Sequence, residues 1–181
     1  MLLEGRPGAG KTTAVRRLAG LLQSAGVSLA GFTTEELRVA GQRVGFAVED
    51  ISGTRAVLAH VDLPGPPNIG RYGIDLAGFE RIALPALAGP GDILVLDELG
   101  PMELASPPFR AAAERVFDTD RIVVATVQVR PHPFTTALKA RPDIEIITVT
   151  GRNRERLPGD LAAAMLRLIE QSAAPRRRPR R

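Results

Sequence analysis

The sequence predicts an α/β three-layer sandwich, with helices on both faces of a mainly parallel sheet and a β-hairpin as embellishment, and three observations predict it. The first is Gly5-Arg6-Pro7-Gly8-Ala9-Gly10-Lys11-Thr12, which fits the pattern G-x-x-x-x-G-K-[ST] between a short apolar strand and a helical run. The second is Ile93-Leu94-Val95-Leu96-Asp97-Glu98, an apolar run of the kind a buried parallel strand presents, ending in two acids. The third is the alternation of strand-like and helix-like segments along the chain, without an internal repeat.

Leu2 and Leu3 supply the first strand. After the glycine-rich loop, Ala14, Val15, Leu18, Leu21 and Leu22 recur at helical spacing, and that helix is expected to stop near Gly26. Residues 27–34 read as a second strand with Glu35, Glu36, Leu37 and Arg38 at its end. Residues 42–49 and 54–61 read as two short strands joined by a turn over 50–53, a hairpin added to the core. The Gly- and Pro-rich stretch 64–70 reads as a loop. Leu76, Phe79, Ile82, Ala83 and Leu87 form one stripe of a helix over 75–87, and Pro90-Gly91 then leads into the strand before Asp97. Beyond it the pattern predicts helix over 109–117, strands over 122–127 and 144–149, and a closing helix over 161–169.

Composition bounds the organisation. A chain of 181 residues with 44% hydrophobic content suits one globular domain, read as 1–172, followed by an Arg/Pro-rich tail over 173–181. Five arginines and no acid stand in the last seven residues; without them the net charge of +4 falls close to neutral. The tail reads as disordered and solvated, with a loose nucleic-acid contact as the alternative. Aromatic interleaving for base stacking is missing, since Tyr72 is the single tyrosine and tryptophan is absent. Without cysteine there is neither a disulfide nor a thiolate metal site, and two histidines do not build a zinc centre. No apolar stretch reaches membrane-spanning length and no secretory leader is visible, so a cytoplasmic monomer is the expectation.

The glycine-rich loop lets successive backbone N–H groups converge on an anion, at the positive end of the following helix dipole. Triphosphate is the natural guest. Lys11 brings a mobile positive charge for the β and γ phosphates, the Thr12 hydroxyl is the expected Mg²⁺ ligand, and Thr13 supports the turn. Lys11 and Lys139 are the only lysines in the chain. Ile93, Leu94, Val95 and Leu96 then read as a Walker B strand, with Asp97 holding the Mg²⁺ shell through water and Glu98 orienting or deprotonating an attacking water. Asp97-Glu98-Leu99-Gly100 also satisfies the D-x-x-G pattern of guanine-nucleotide switches, but the Asn-Lys-x-Asp that reads guanine is absent. Ligands of such sheets bind at the strands' carboxyl ends, an edge that segments 126–130 and 150–154 can also reach. Charge on the transition state calls for an arginine. Arg38, Arg43, Arg71, Arg130, Arg152 and Arg154 are available, and Arg71, Arg152 and Arg154 are preferred because they fall in loops. His132, between prolines, reads as a loop residue, and Glu103 as a helix starter or the partner of an arginine.

Taken together, the glycine-rich loop, Gly31-Phe32-Thr33-Thr34-Glu35-Glu36-Leu37-Arg38, Arg43-Val44-Gly45-Phe46 and Asp97-Glu98-Leu99-Gly100-Pro101-Met102-Glu103-Leu104 closely resemble the thermophile and cancer-related nucleoside-triphosphatase family. Ser106, Phe109, Gly70-Arg71-Tyr72 and Asn153-Arg154 extend the match over nearly everything but the tail. The resemblance implies a P-loop fold of the class that adds a strand between the phosphate-loop and Walker B strands and uses a catalytic glutamate, matched here by Glu98. It also implies slow, Mg²⁺-dependent hydrolysis of ATP, GTP, CTP and UTP with broad base tolerance. Two features depart from the family pattern. The chain opens only four residues before Gly5, which leaves a native start upstream of Met1 as an expectation, and Gln128 stands where the family often has histidine. Two rival readings use the same residues. One is a kinase passing the γ-phosphoryl to a nucleotide, nucleoside or RNA end, betrayed by acceptor-dependent turnover. The other is a nucleotide-dependent nucleic-acid-binding protein, betrayed by salt-sensitive binding that needs the tail.

Overall fold

The first strand, β1 (Leu2–Gly5), is flanked by parallel strands on both sides, so Leu2 and Leu3 are fully buried and the strand ends where the glycine-rich loop begins. The structure is a computed structural model that describes residues 1–173. Helix α1 (Lys11–Ser24) starts after Gly10, whose φ of 97° is a left-handed conformation that a residue with a Cβ resists. Its Ala14, Val15, Leu18, Ala19 and Leu22 are buried. Three strands follow: β2 (Leu29–Val39), β3 (Gln42–Asp50) and β4 (Arg55–His60). The short β5 (Asn68–Ile69) and β6 (Tyr72–Ile74) precede α2 (Leu76–Ala88), capped by Asp75, whose carboxylate accepts from Gly78 N–H at 2.8 Å. Then come β7 (Ile93–Leu96), a 3-10 turn over Glu103–Ala105, and α3 (Pro107–Phe117), capped by Ser106. The remaining elements are β8 (Ile122–Gln128), α4 (Pro133–Lys139), β9 (Ile146–Thr148) and α5 (Leu157–Ala173).

Among the described residues these strands form one nine-stranded sheet in the order β5-β6-β4-β3-β2-β7-β8-β1-β9. The run from β2 to β9 is parallel, and β8 lies between the phosphate-loop strand β1 and the Walker B strand β7, the added-strand arrangement the resemblance implied. The antiparallel part is larger than the expected hairpin. β2 continues past Thr34 to Val39 and pairs with β3, from Phe32 opposite Asp50 to Val39 opposite Gln42, turning at Ala40-Gly41. Part of the expected 64–70 loop is strand as well, Asn68 and Ile69 pairing with Gly73 and Tyr72. Helix α4 was not expected, and His132, read as a loop residue, is its cap, accepting Phe134 N–H through Nδ1 at 3.2 Å. α5 begins earlier and ends later than 161–169; it includes Ala173, and the rest of the tail expected from 173 lies outside the described residues.

Two apolar cores make the three layers. On one face α1 and α5 pack Val15, Leu18, Leu22, Leu161 and Met165 against Leu3, Ile93, Val95 and Val124. On the other, α2 and α3 pack Phe79, Ile82, Phe109 and Ala113 against Phe32, Leu94, Leu96 and Ala125. Phe32, Phe79 and Phe109 are fully buried and meet edge to face with centroids 4.9–5.8 Å apart. Each such ring contributes about 1.5–3 kcal/mol by leaving water. The cluster also steadies the site, because the Phe32 carbonyl accepts Asp97 N–H at 3.1 Å. Among the described residues no helix is long and apolar enough to cross a membrane.

Candidate active site

The carboxyl ends of β1, β7 and β8 converge beneath the glycine-rich loop, where a cleft of about 600 Å³ is lined by Lys11, Thr12, Glu98, Glu103, Gln128 and Arg130 among others. Lys11 is 6% exposed; its Nζ donates to the Gly5 carbonyl at 3.3 Å and lies 3.3 Å from Glu98 Oε2. Gln128 Nε2 donates to Glu98 Oε1 at 2.6 Å, so the two carboxylate oxygens are held from opposite sides by groups on β8 and α1. Asp97, directly after β7, is fully buried. Its Oδ1 accepts the Thr126 hydroxyl at 2.5 Å, and Leu99 N–H donates to the Thr126 carbonyl at 2.9 Å. Asp97 Oδ2 is buried with no hydrogen-bond partner among the described residues. Burial pushes the Asp97 carboxyl up from its ordinary range, with the hydroxyls of Thr126 and Thr12 opposing it.

A third acid closes the cleft. Glu103, in the 3-10 turn, is 4% exposed, and burial followed by the charge of Glu98 pushes it up to about 8. It starts a short turn, as expected, but pairs with no arginine among the described residues; its carboxyl faces Glu98 across Gly100. Gly100 is required by that arrangement, since a Cβ there would stand 2.7 Å from Glu98 Oε1 and 2.8 Å from Glu103 Oε2.

The structure gathers Pro7, Gly8, Gly10, Lys11, Thr12, Thr13 and Glu98 along this cleft, with Asp97 beneath it. It does not bring Arg71 or Arg152 there. Arg71 is engaged by the Arg43 carbonyl and the Tyr72 hydroxyl, Arg152 is exposed, and Arg154 pairs with Glu155 while its stem covers Gly10 from outside. Among the described residues the arginines on the cleft wall are Arg16, Arg43 and Arg130, of which Arg43 and Arg130 are among the sequence candidates. Thr126 had a sequence signal of its own, a hydroxyl inside an otherwise apolar strand, where a buried polar group must find a partner.

An oxygen-donor pair with a buried, partnerless carboxylate oxygen fits Mg²⁺, which takes one or two protein oxygens and completes its shell with phosphate oxygens and water. A family model described as NTPase matches residues 1–162. The nucleoside-triphosphatase THEP1 of Thermotoga sp. (strain RQ2) is 38% identical over 168 residues, 91% of this chain and 94% of that one. The human cancer-related nucleoside-triphosphatase is also 38% identical, over 91% of this chain and 95% of its own. The crystal structure of THEP1 from the hyperthermophile Aquifex aeolicus superposes with a TM-score of 0.81 at 28% identity, covering 91% of this chain and 98% of that one.

Proposed function

The chain belongs to this NTPase family, and on that premise we propose that it hydrolyses nucleoside triphosphates to diphosphate and phosphate, with Glu98 activating the water. The observation that carries the proposal is the position of Glu98, fixed between Lys11 and Gln128 at the mouth of the glycine-rich loop. A triphosphate entering that loop competes with Glu98 for the Lys11 ammonium. Once the ammonium turns to the phosphates, Glu98 keeps the Gln128 hydrogen bond and has one oxygen free as a base. Water oxygen attacks the γ-phosphorus, the bond to the β–γ bridging oxygen breaks, the diphosphate leaves with that oxygen, and the water's proton passes to Glu98.

Thr12 and Asp97 are the residues that would hold Mg²⁺, the first by its hydroxyl and the second through the oxygen that lacks a protein partner. Bound there, the ion would neutralise charge on the β and γ phosphate oxygens. Thr126 keeps Asp97 oriented for that role. Among the described residues nothing in the cleft wall repeats a base-reading motif, which supports acceptance of ATP, GTP, CTP and UTP alike. The test is phosphate release from each of the four, with Mg²⁺ and with the metal chelated. Release from all four that chelation abolishes is expected. Release from none of them overturns the proposal.

A further inference from the structure

Departure of the γ-phosphoryl group spreads negative charge over oxygens that one lysine does not neutralise alone, and a guanidinium is the usual supplement. Among the described residues three arginines line the cleft, and their surroundings separate them. Arg16 donates to the Thr34 carbonyl at 3.1 Å and stands 3.9 Å from Glu35. Arg43 is held by Glu36 at 2.7 Å and the Tyr72 hydroxyl at 3.1 Å, with its guanidinium 5.2 Å from the Phe46 ring centroid. Both are committed to β2 and β3 contacts that a substrate would have to break. Arg130 makes no hydrogen bond, ion pair or ring contact among the described residues.

The place of Arg130 in the chain matters equally. It stands two residues beyond the end of β8, the strand whose Thr126 holds Asp97 and whose Gln128 holds Glu98. The end of β8 and the loop that leaves it therefore carry, two residues apart, the group that holds Glu98 and an uncommitted cation. Arg130 also borders a second cavity of about 280 Å³, walled by Leu99, Pro101 and Pro131, that adjoins the cleft. The side chain thus has room on both sides, and moving it to an anion breaks no hydrogen bond, ion pair or ring contact among the described residues.

We propose that Arg130 reaches the γ-phosphoryl oxygens of the bound triphosphate and stabilises the charge that develops as the β–γ bond breaks. The proposal rests on the triphosphatase reading and goes beyond it by naming a residue that touches the reacting group. Its partnerless state is what the role requires, because a guanidinium already engaged by a carboxylate gives up that interaction before it stabilises a transition state.

The experiment compares wild type, Arg130→Ala and Arg130→Lys for steady-state phosphate release from ATP with Mg²⁺, and for formation of the complex of ADP with aluminium fluoride. Because the side chain is exposed and unpartnered, both variants should fold, which unchanged ADP affinity verifies. The alanine variant is expected to lose about 10²–10³-fold in kcat with KM within a few-fold of wild type. It should also fail to form the aluminium fluoride complex, and lysine should restore part of both. Wild-type kcat in the alanine variant, or a raised KM with kcat unchanged, overturns the assignment of Arg130 while leaving the triphosphatase reading intact. No phosphate release from wild type overturns both.

Discussion

Replacing Thr126 by valine keeps the volume of the side chain and removes one hydroxyl from beneath the site. That hydroxyl donates to Asp97 Oδ1 at 2.5 Å, both residues are fully buried, and Asp97 Oδ2 already lacks a partner. A hydrogen bond to a charged group contributes about 1.5–3 kcal/mol to stability. At roughly 2–4 °C per kcal/mol for a domain of this size, Thr126→Val should melt about 3–12 °C below wild type. Burial, which already pushes the Asp97 carboxyl up, would then be opposed less, so the carboxyl should be pushed up further and the Mg²⁺ requirement for turnover should rise. Thermal unfolding followed by circular dichroism, beside a magnesium titration of phosphate release, reads both effects. A melting midpoint within about a degree of wild type would show that the Thr126 hydroxyl contributes nothing of the expected size.

Glu103 gives a second test. Its carboxyl is pushed up to about 8 from the ordinary 4.5, so the folded protein retains a proton that the unfolded chain releases. Stability from this group is complete below about pH 4.5 and is lost as pH rises through about 8, at up to about 1.4 kcal/mol per pH unit. Denaturant unfolding across that window should show this slope reduced in Glu103→Gln, and equal slopes in the two proteins would refute it. Gly100→Ala places a methyl group 2.7 Å from Glu98 Oε1 and 2.8 Å from Glu103 Oε2, both too close to keep. With Glu98 displaced by a fraction of an ångström or more, turnover should fall by about 10²-fold while nucleotide affinity holds, and undiminished turnover would contradict the geometry.

The parts of the site that could be read from sequence are those whose residues are contiguous. Gly5 to Thr12 carries its own strand, turn and helix start, and Ile93 to Glu98 carries its own buried strand and acids, so local pattern sufficed to pair them. What depends on register between distant strands was not readable. Glu35 to Arg38 is mostly charged and shows no alternation of its own, and it is strand because β3 lies alongside it. α4 has seven residues opening on a proline, too few to show a period, and β5 is two residues inside a Gly/Pro-rich stretch. The arginines were the weakest point for the same reason. Arg71 sits in a loop, which favoured it from sequence, but the fold turns it onto Tyr72, while Arg130 is left free by a cleft wall assembled from separate elements. For Glu103 the sequence offers a helix starter or the partner of an arginine, and gives no sign that the carboxyl lies buried against Glu98 across Gly100.

The role of Glu98 is tested most directly by measuring nucleotide affinity and phosphate release side by side in wild type and Glu98→Gln. Glutamine preserves the side-chain shape, removes the base and releases Lys11 from an ion pair of 3.3 Å that triphosphate otherwise has to displace. Affinity should therefore hold or tighten, while turnover falls by about 10²–10⁴-fold. Turnover at the wild-type rate with binding intact would remove Glu98 from the chemistry and contradict the mechanism at its centre.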